Sequence, residues 1–204
     1  DSADIRDDPR ADPRMVAAMA ALGMDVAGPP SPVTASSSVE DILEHCIIAE
    51  QGFDMLGGAL SAGSPPVEGV TSYTEVIQGT DGNDINLYIH KPNNADGPLP
   101  CIVHTHGGGM VILRADNPGY QRWRDELAAT GLIVVGVEFR NGAGSLGNHP
   151  FPAGLNDCTS GAQWAIANSE ALGISKVIIS GESGGGNLSI ATALKAKQDG
   201  WIDQ

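Results

Sequence analysis

Three short runs rich in β-branched and apolar residues, at 101–105, 132–138 and 176–180, are separated from one another by segments of helical length and periodicity. Runs spaced this way are too far apart for hairpins, so they are expected to pair in parallel through crossover helices packed on the sheet. The first intervening segment opens at Asn117-Pro118 and carries Tyr120, Trp123, Leu127 and Ala128 at helical spacing; the second, 151–169, carries Leu155, Ala162 and Ile166. Both sets are expected to face inward. Ahead of them, strands at 72–78 and 85–91 flank Gly79-Thr80-Asp81-Gly82-Asn83, which suits an antiparallel hairpin. The reading is an α/β fold, mostly parallel, with an N-terminal antiparallel hairpin. In these 204 residues taken alone, the strand around Ile178 and Ile179 is expected to be left as an unpaired apolar edge.

Two of the parallel strands end in glycine motifs. Val177-Ile178-Ile179-Ser180 runs into Gly181-Glu182-Ser183-Gly184-Gly185, a G-x-S-x-G followed by an amphipathic segment. A serine on a sharp strand-to-helix turn is lifted clear of the sheet, and the helix aims its positive end at the turn. Ser183 is therefore the candidate nucleophile. Earlier, His104-Thr105-His106-Gly107-Gly108-Gly109 ends its strand in an H-G-G-G loop, which presents backbone N–H groups to a developing alkoxide. Gly108, Gly109 and Gly184 are the candidate oxyanion donors. His106, Gly107, Glu182 and Asn187 are candidate supports, and Met110, next to the loop, is a candidate pocket residue.

With these motifs, three further stretches carry a family resemblance: Asp12-Pro13-Arg14-Met15-Val16-Ala17-Ala18, Val137-Glu138-Phe139-Arg140-Asn141, and His149-Pro150-Phe151-Pro152-Ala153-Gly154-Leu155-Asn156-Asp157-Cys158. Together they resemble the hormone-sensitive-lipase-like branch of the α/β-hydrolase esterases. The resemblance implies a serine carboxylesterase that needs no cofactor and acts on a small ester or lactone, with triad members in the order Ser, acid, His. Gly184 stands where members of the branch often have alanine. All five histidines, His45, His90, His104, His106 and His149, precede Ser183. The acid and histidine, and the C-terminal strands, are thus expected beyond residue 204, and the 204 residues alone are expected to be inactive.

Before residue 70 the pattern is helical. Asp12 can cap a helix with Pro13 at its first position and Met15, Met19 and Leu22 on one face. Ser38 precedes a second helix with an apolar stripe of Ile42, Leu43, Cys46, Ile47 and Phe53 opposite Glu40 and Glu44, and residues 27–38 between them form a linker. Residues 1–69 are accordingly read as helical cap and linker, and 70–204 as part of the catalytic domain; the cap role follows from the resemblance.

The net charge of −14, with 11 Lys and Arg, argues against a nucleic-acid partner. No apolar run approaches membrane-spanning length, and the sparse cysteines Cys46, Cys101 and Cys158 read as reduced thiols, favouring the cytoplasm. His104 and His106 share a strand face but lack a third ligand, so no metal is expected; His149, ahead of the nucleophile, is assigned a structural hydrogen bond. Trp123 and Trp164 are assigned to the core. Two other classes compete with the esterase. A nucleotide-binding domain would use Gly184-Gly185-Gly186 as a phosphate loop, and a hydrolase fold without catalysis would serve as a binding module.

Overall fold

A computed structural model describes residues 4–203. The chain divides into two compact units, one ending at Ser38 and the other beginning at Val39. The first holds a 3-10 turn at Ile5–Asp7 and helix α1 (Pro13–Ala21). The Asp12 carboxylate caps α1 by accepting from the Arg14 N–H at 2.8 Å, with Pro13 in the first turn, where its missing N–H costs nothing. None of the α1 residues is buried, Met15 and Met19 included, and the C-cap Leu22 is exposed.

The second unit is built on a five-stranded sheet in the order β1-β2-β4-β3-β5. β1 (Val70–Gln78) and β2 (Asp84–Pro92) form the antiparallel hairpin, in register from Val70 opposite Pro92 to Gln78 opposite Asp84. β2 continues antiparallel to β4 (Ile133–Val137), and β3 (Leu99–Thr105) pairs in parallel with β4 and with β5 (Ile174–Gly181). Because β5 pairs only with β3 among the described residues, it is an edge, and Ile178 is exposed on it.

Alternation along the strands separates two faces. Leu87, Val137 and Gly161 meet where α4 (Ala153–Ala167) crosses the sheet: a Cβ at Gly161 would lie 2.7 Å from a Val137 methyl. On this side Leu87, Ile89, Cys101, Val103, Ile133, Val135 and Val137 are buried with Ala162, Ala165 and Leu188 in one core, against which Leu155, Trp164 and Ile166 pack. Each fully buried aliphatic side chain here stabilises the fold by roughly 1.5–3 kcal/mol relative to exposure. On the opposite side Gly136 faces α3 (Pro118–Ala129), where a Cβ would fall 2.8 Å from the Arg124 side chain.

Two helices present a different face from the one their apolar spacing suggests. In α3 the inward residues are Arg124 and Ala128, while Trp123 is 48% exposed. Glycine at 136 opens a trough for the arginine stem. In α2 (Val39–Ser61) the only buried residue is Glu50, whereas Ile47 and Phe53 of the expected stripe are exposed. Glu50 accepts from the backbone N–H groups of Leu113 at 2.7 Å and Ser145 at 2.6 Å, and Asp54, one turn on, accepts from the Asn117 amide at 2.7 Å. These bonds place α2 in the same compact unit as the sheet, so the division falls at 38/39, ahead of residue 70.

Candidate active site

β5 ends at Gly181 and α6 (Gly184–Asp199) begins three residues later, with Ser183 exposed between them at φ 54°, ψ −119°. A side-chain-bearing residue there costs about 1–3 kcal/mol and persists only when its neighbours enforce it. The neighbours are glycines pressed against β3. A Cβ on Gly181 would overlap the Thr105 carbonyl and hydroxyl oxygens, and one on Gly185 would overlap the carbonyl oxygens of Thr105 and His106. The Thr105 hydroxyl is buried in the same contact, 2.8 Å from the Gly185 carbonyl and 2.9 Å from the Ser189 hydroxyl. Both motif glycines are therefore required by close approach.

The glycine loop after β3 lies against this turn. Gly108, Gly109 and Met110 have φ of 102°, 67° and 63°, and the loop closes with Val111 and Ile112 N–H groups donating to the Gly108 carbonyl at 3.0 and 3.1 Å. A Cβ on Gly184 would sit 2.6 Å from the Met110 nitrogen and 2.8 Å from the Gly109 carbonyl carbon. That approach accounts for glycine at 184.

Glu182 joins the two motifs. Its carboxylate accepts from the Gly107 N–H at 2.9 Å and from His104 Nε2 at 3.0 Å. Partial burial pushes this carboxyl up, but the His104 hydrogen bond and charge, the Gly107 N–H and its own N–H together hold it below the ordinary glutamate range. The Gly107 N–H is thereby occupied in support. His106 is fully buried, donates from Nδ1 to the Gly107 carbonyl at 2.7 Å, and stacks on Phe139 with ring centroids 4.2 Å apart. Burial lowers its pKa to about 4, so it is neutral at pH 7.

Other expected residues fall elsewhere. Asn187 is exposed and its side chain makes no hydrogen bond among the described residues, whereas Glu182 ties the elbow to the glycine loop. The Met110 side chain is 38% exposed on the loop. His149 bonds the Leu146 carbonyl through Nε2 at 2.9 Å. Arg140 is clasped by the buried Asp157 at 2.8 Å, which anchors the segment after β4. No histidine is hydrogen-bonded to Ser183 among the described residues. No group of three His, Cys, Asp or Glu side chains among them is placed to hold a metal ion, and no helix is long and apolar enough to cross a membrane. Cys46, Cys101 and Cys158 are free thiols.

Periodicity also missed part of the site. Tyr120 is half-buried with its hydroxyl near Gly107, where a Cβ would lie 3.2 Å away, and its rings-apart distance to His106 is 5.4 Å. With Trp123, Asn117, Gly119 and Glu182 it lines a cleft of about 320 Å³. The adjacent H-G-G-G loop was the available signal that a tyrosine in this helix would face the site.

A strained serine after a parallel strand, glycine loops packed upon each other and a mixed sheet with helices on both faces define a hydrolase architecture. Residues 102–203 match the alpha/beta hydrolase fold family, and the chain belongs to it. Among solved structures it is similar to brefeldin A esterase, a bacterial homologue of human hormone sensitive lipase, with 43% identity and a TM-score of 0.91 over 98% of this chain and 55% of that one. It is also similar to esterase Est22, at 36% identity and a TM-score of 0.82 over 98% of this chain and 60% of that one. Tuliposide A-converting enzyme b1, amyloplastic, of Tulipa gesneriana is 31% identical over 82% of this chain and 47% of its own length. The chain thus spans about half the length of the relatives it matches.

Proposed function

We propose that these residues form the nucleophile-bearing and oxyanion-binding part of a serine carboxylesterase, whose triad acid and histidine lie beyond residue 204. The observation that carries this reading is the φ 54°, ψ −119° conformation of Ser183 at the strand-to-helix turn beside the H-G-G-G loop. In the complete site a histidine takes the Ser183 hydroxyl proton as Oγ bonds to the ester carbonyl carbon. The N–H groups of Gly108, Gly109 and Gly184 receive the oxyanion, each such donor being worth about 2.7–4 kcal/mol in the transition state. The carbonyl reforms, the C–O bond to the alcohol breaks, and the histidine returns the proton to the leaving oxygen. Water, deprotonated by the same histidine, then releases the acid and regenerates the serine hydroxyl. No cofactor takes part. Small esters and lactones are the substrate class.

Fluorophosphonate labelling tests the assignment. The full-length protein carrying this sequence is expected to label stoichiometrically, Ser183→Ala is expected to abolish labelling, and the isolated 204 residues are expected to remain unlabelled. A folded full-length protein that does not label would overturn the esterase reading in favour of a hydrolase-fold binding module.

A further inference from the structure

We infer that Glu50, on α2, is a positioning residue for the oxyanion loop: its carboxylate clamps the left-handed turn at 108–113 to the segment that follows β4. The inference rests on the esterase reading for its effect on catalysis and on hydrogen bonds between buried groups for its geometry. Among the described residues, the side-chain-bearing residues with positive φ are Met110, Leu113 and Ser183, at 63°, 79° and 54°. One is the candidate nucleophile, and the other two belong to the loop that faces it. Such conformations persist only where their surroundings over-determine them. For Leu113 those surroundings are side chains brought from elsewhere in the chain.

The loop closes locally at Gly108, where a Cβ would overlap the Ile112 carbonyl oxygen. Beyond that turn it is tied to the segment after β4 by a short ladder, the Gly142 N–H donating to the Met110 carbonyl and the Ala143 N–H to the Val111 carbonyl, both at 2.9 Å. Leu113 is held at both of its backbone polar groups: its N–H donates to Glu50 Oε1 at 2.7 Å, and its carbonyl accepts from the Asn141 amide at 2.6 Å. The second oxygen, Glu50 Oε2, accepts from the Ser145 N–H at 2.6 Å, so one carboxylate grips both sides of the ladder. Gly144 reflects the same fit, since it has φ 78° and a Cβ there would stand 2.7 Å from Glu50 Oε1. Bonds to a charged acceptor are roughly twice as strong as neutral ones. Glu50 is 2% exposed and Asn141 fully buried within the described residues, so the clamp does not depend on any open surface. At its other end the loop meets the elbow, where a Cβ on Gly184 would lie 2.6 Å from the Met110 nitrogen. Releasing Leu113 therefore shifts the Gly108 and Gly109 N–H groups relative to Ser183, and a misplaced donor costs rate although it is still present.

The test uses the full-length protein, ethyl butanoate as substrate and two ketones as inhibitors. With 1,1,1-trifluoro-2-octanone, Ser183 Oγ adds to the carbonyl carbon, its proton passes to the triad histidine, and the carbonyl oxygen takes the negative charge; 2-octanone binds as the intact ketone. Glutamine at 50 turns one acceptor oxygen into a donor, so one of the two N–H groups loses its partner. In Glu50→Gln, kcat/KM is expected to fall about thirtyfold and Ki for the fluoroketone to rise by the same factor, while Ki for 2-octanone stays within about twofold. Leu87→Ala, destabilised in the core beneath α4, is expected to change neither Ki per folded molecule. Wild-type turnover in Glu50→Gln, or an equal rise in Ki for both ketones, overturns the clamp and leaves the esterase reading intact. Hydrogen exchange of the wild-type protein decides the matter if Glu50→Gln does not fold. Coupling between clamp and oxyanion is reciprocal, so the Leu113 and Ser145 amides are expected to exchange about tenfold more slowly with the fluoroketone bound, and not with 2-octanone. Equal exchange with and without the fluoroketone overturns the clamp. A folded wild-type protein that neither hydrolyses ester nor takes the fluoroketone overturns the esterase reading and the clamp with it.

Discussion

Beneath α4 the sheet presents Leu87, Ile89, Val103, Ile133, Val135 and Val137; beneath α3, one residue along each strand, it presents Tyr88, His90, His104, Gly136 and Glu138. The first face needs no partner beyond close packing. The second is a chain of oriented polar groups. Asp125 accepts from His90 Nδ1 at 2.7 Å, His90 Nε2 accepts from the Arg124 guanidinium at 3.0 Å, and Arg124 donates to the Ala115 carbonyl at 2.7 Å. Glu138 accepts from the Ala115 N–H and from the Tyr88 hydroxyl. Burial lowers the Arg124 guanidinium to about 10, still charged at pH 7. One face thus supplies stability without chemistry; the other spends desolvation to hold the loop that carries the chemistry.

The largest expected effect sharpens this division on the apolar side. Leu87→Ala should lower unfolding free energy by about 3 kcal/mol, measured by urea denaturation, because the side chain is fully buried against α4. In the full-length protein, fluorophosphonate labelling of the molecules that remain folded should keep its wild-type rate. A matching fall in that rate would break the comparison, since it would make the packed face part of the reactive one.

A smaller effect belongs to the polar face and follows from His106. Its folded pKa of about 4 lies below the ordinary histidine value of 6.5 because burial penalises the imidazolium. As pH falls through 6.5 the unfolded chain takes up a proton that the folded chain refuses until about pH 4, so stability present above 6.5 is lost across that window. Between pH 7 and pH 5 this one group should remove about 2 kcal/mol. His106→Asn should flatten that part of the urea midpoint profile, whereas Leu87→Ala should shift the profile down without changing its slope. The smallest effect is expected for Glu182→Gln, which loses the charge facing His104 and keeps an oxygen for the Gly107 N–H. Labelling should slow about tenfold, equivalent to about 1.4 kcal/mol, with little change in urea midpoint.

The strands and both glycine motifs were legible in the sequence because their causes are local. The turn-rich link at 79–83 marks the hairpin, and Gly181, Ser183 and Gly185 announce the elbow at fixed spacing. What escaped was long-range. Glu50 is buried because it pairs with N–H groups 63 and 95 residues away, a fact that no helical periodicity in α2 contains. Arg124 is buried because Gly136 makes room for its stem, a fit between elements distant in sequence. Glu182 and Asn187 were both candidate supports by position, and which of them bonds the glycine loop was not legible, because Glu182 meets His104 and Gly107 78 and 75 residues away.

The overlap that forbids a Cβ on Gly185 involves Thr105, 80 residues earlier, whose hydroxyl also bonds the Gly185 carbonyl. Ser183 can therefore be displayed only in molecules whose β3 and β5 have already come together. In the full-length protein each serine that labels then marks a chain whose sheet centre is assembled, so titration of the nucleophile doubles as a lower bound on the number of correctly folded molecules in a preparation.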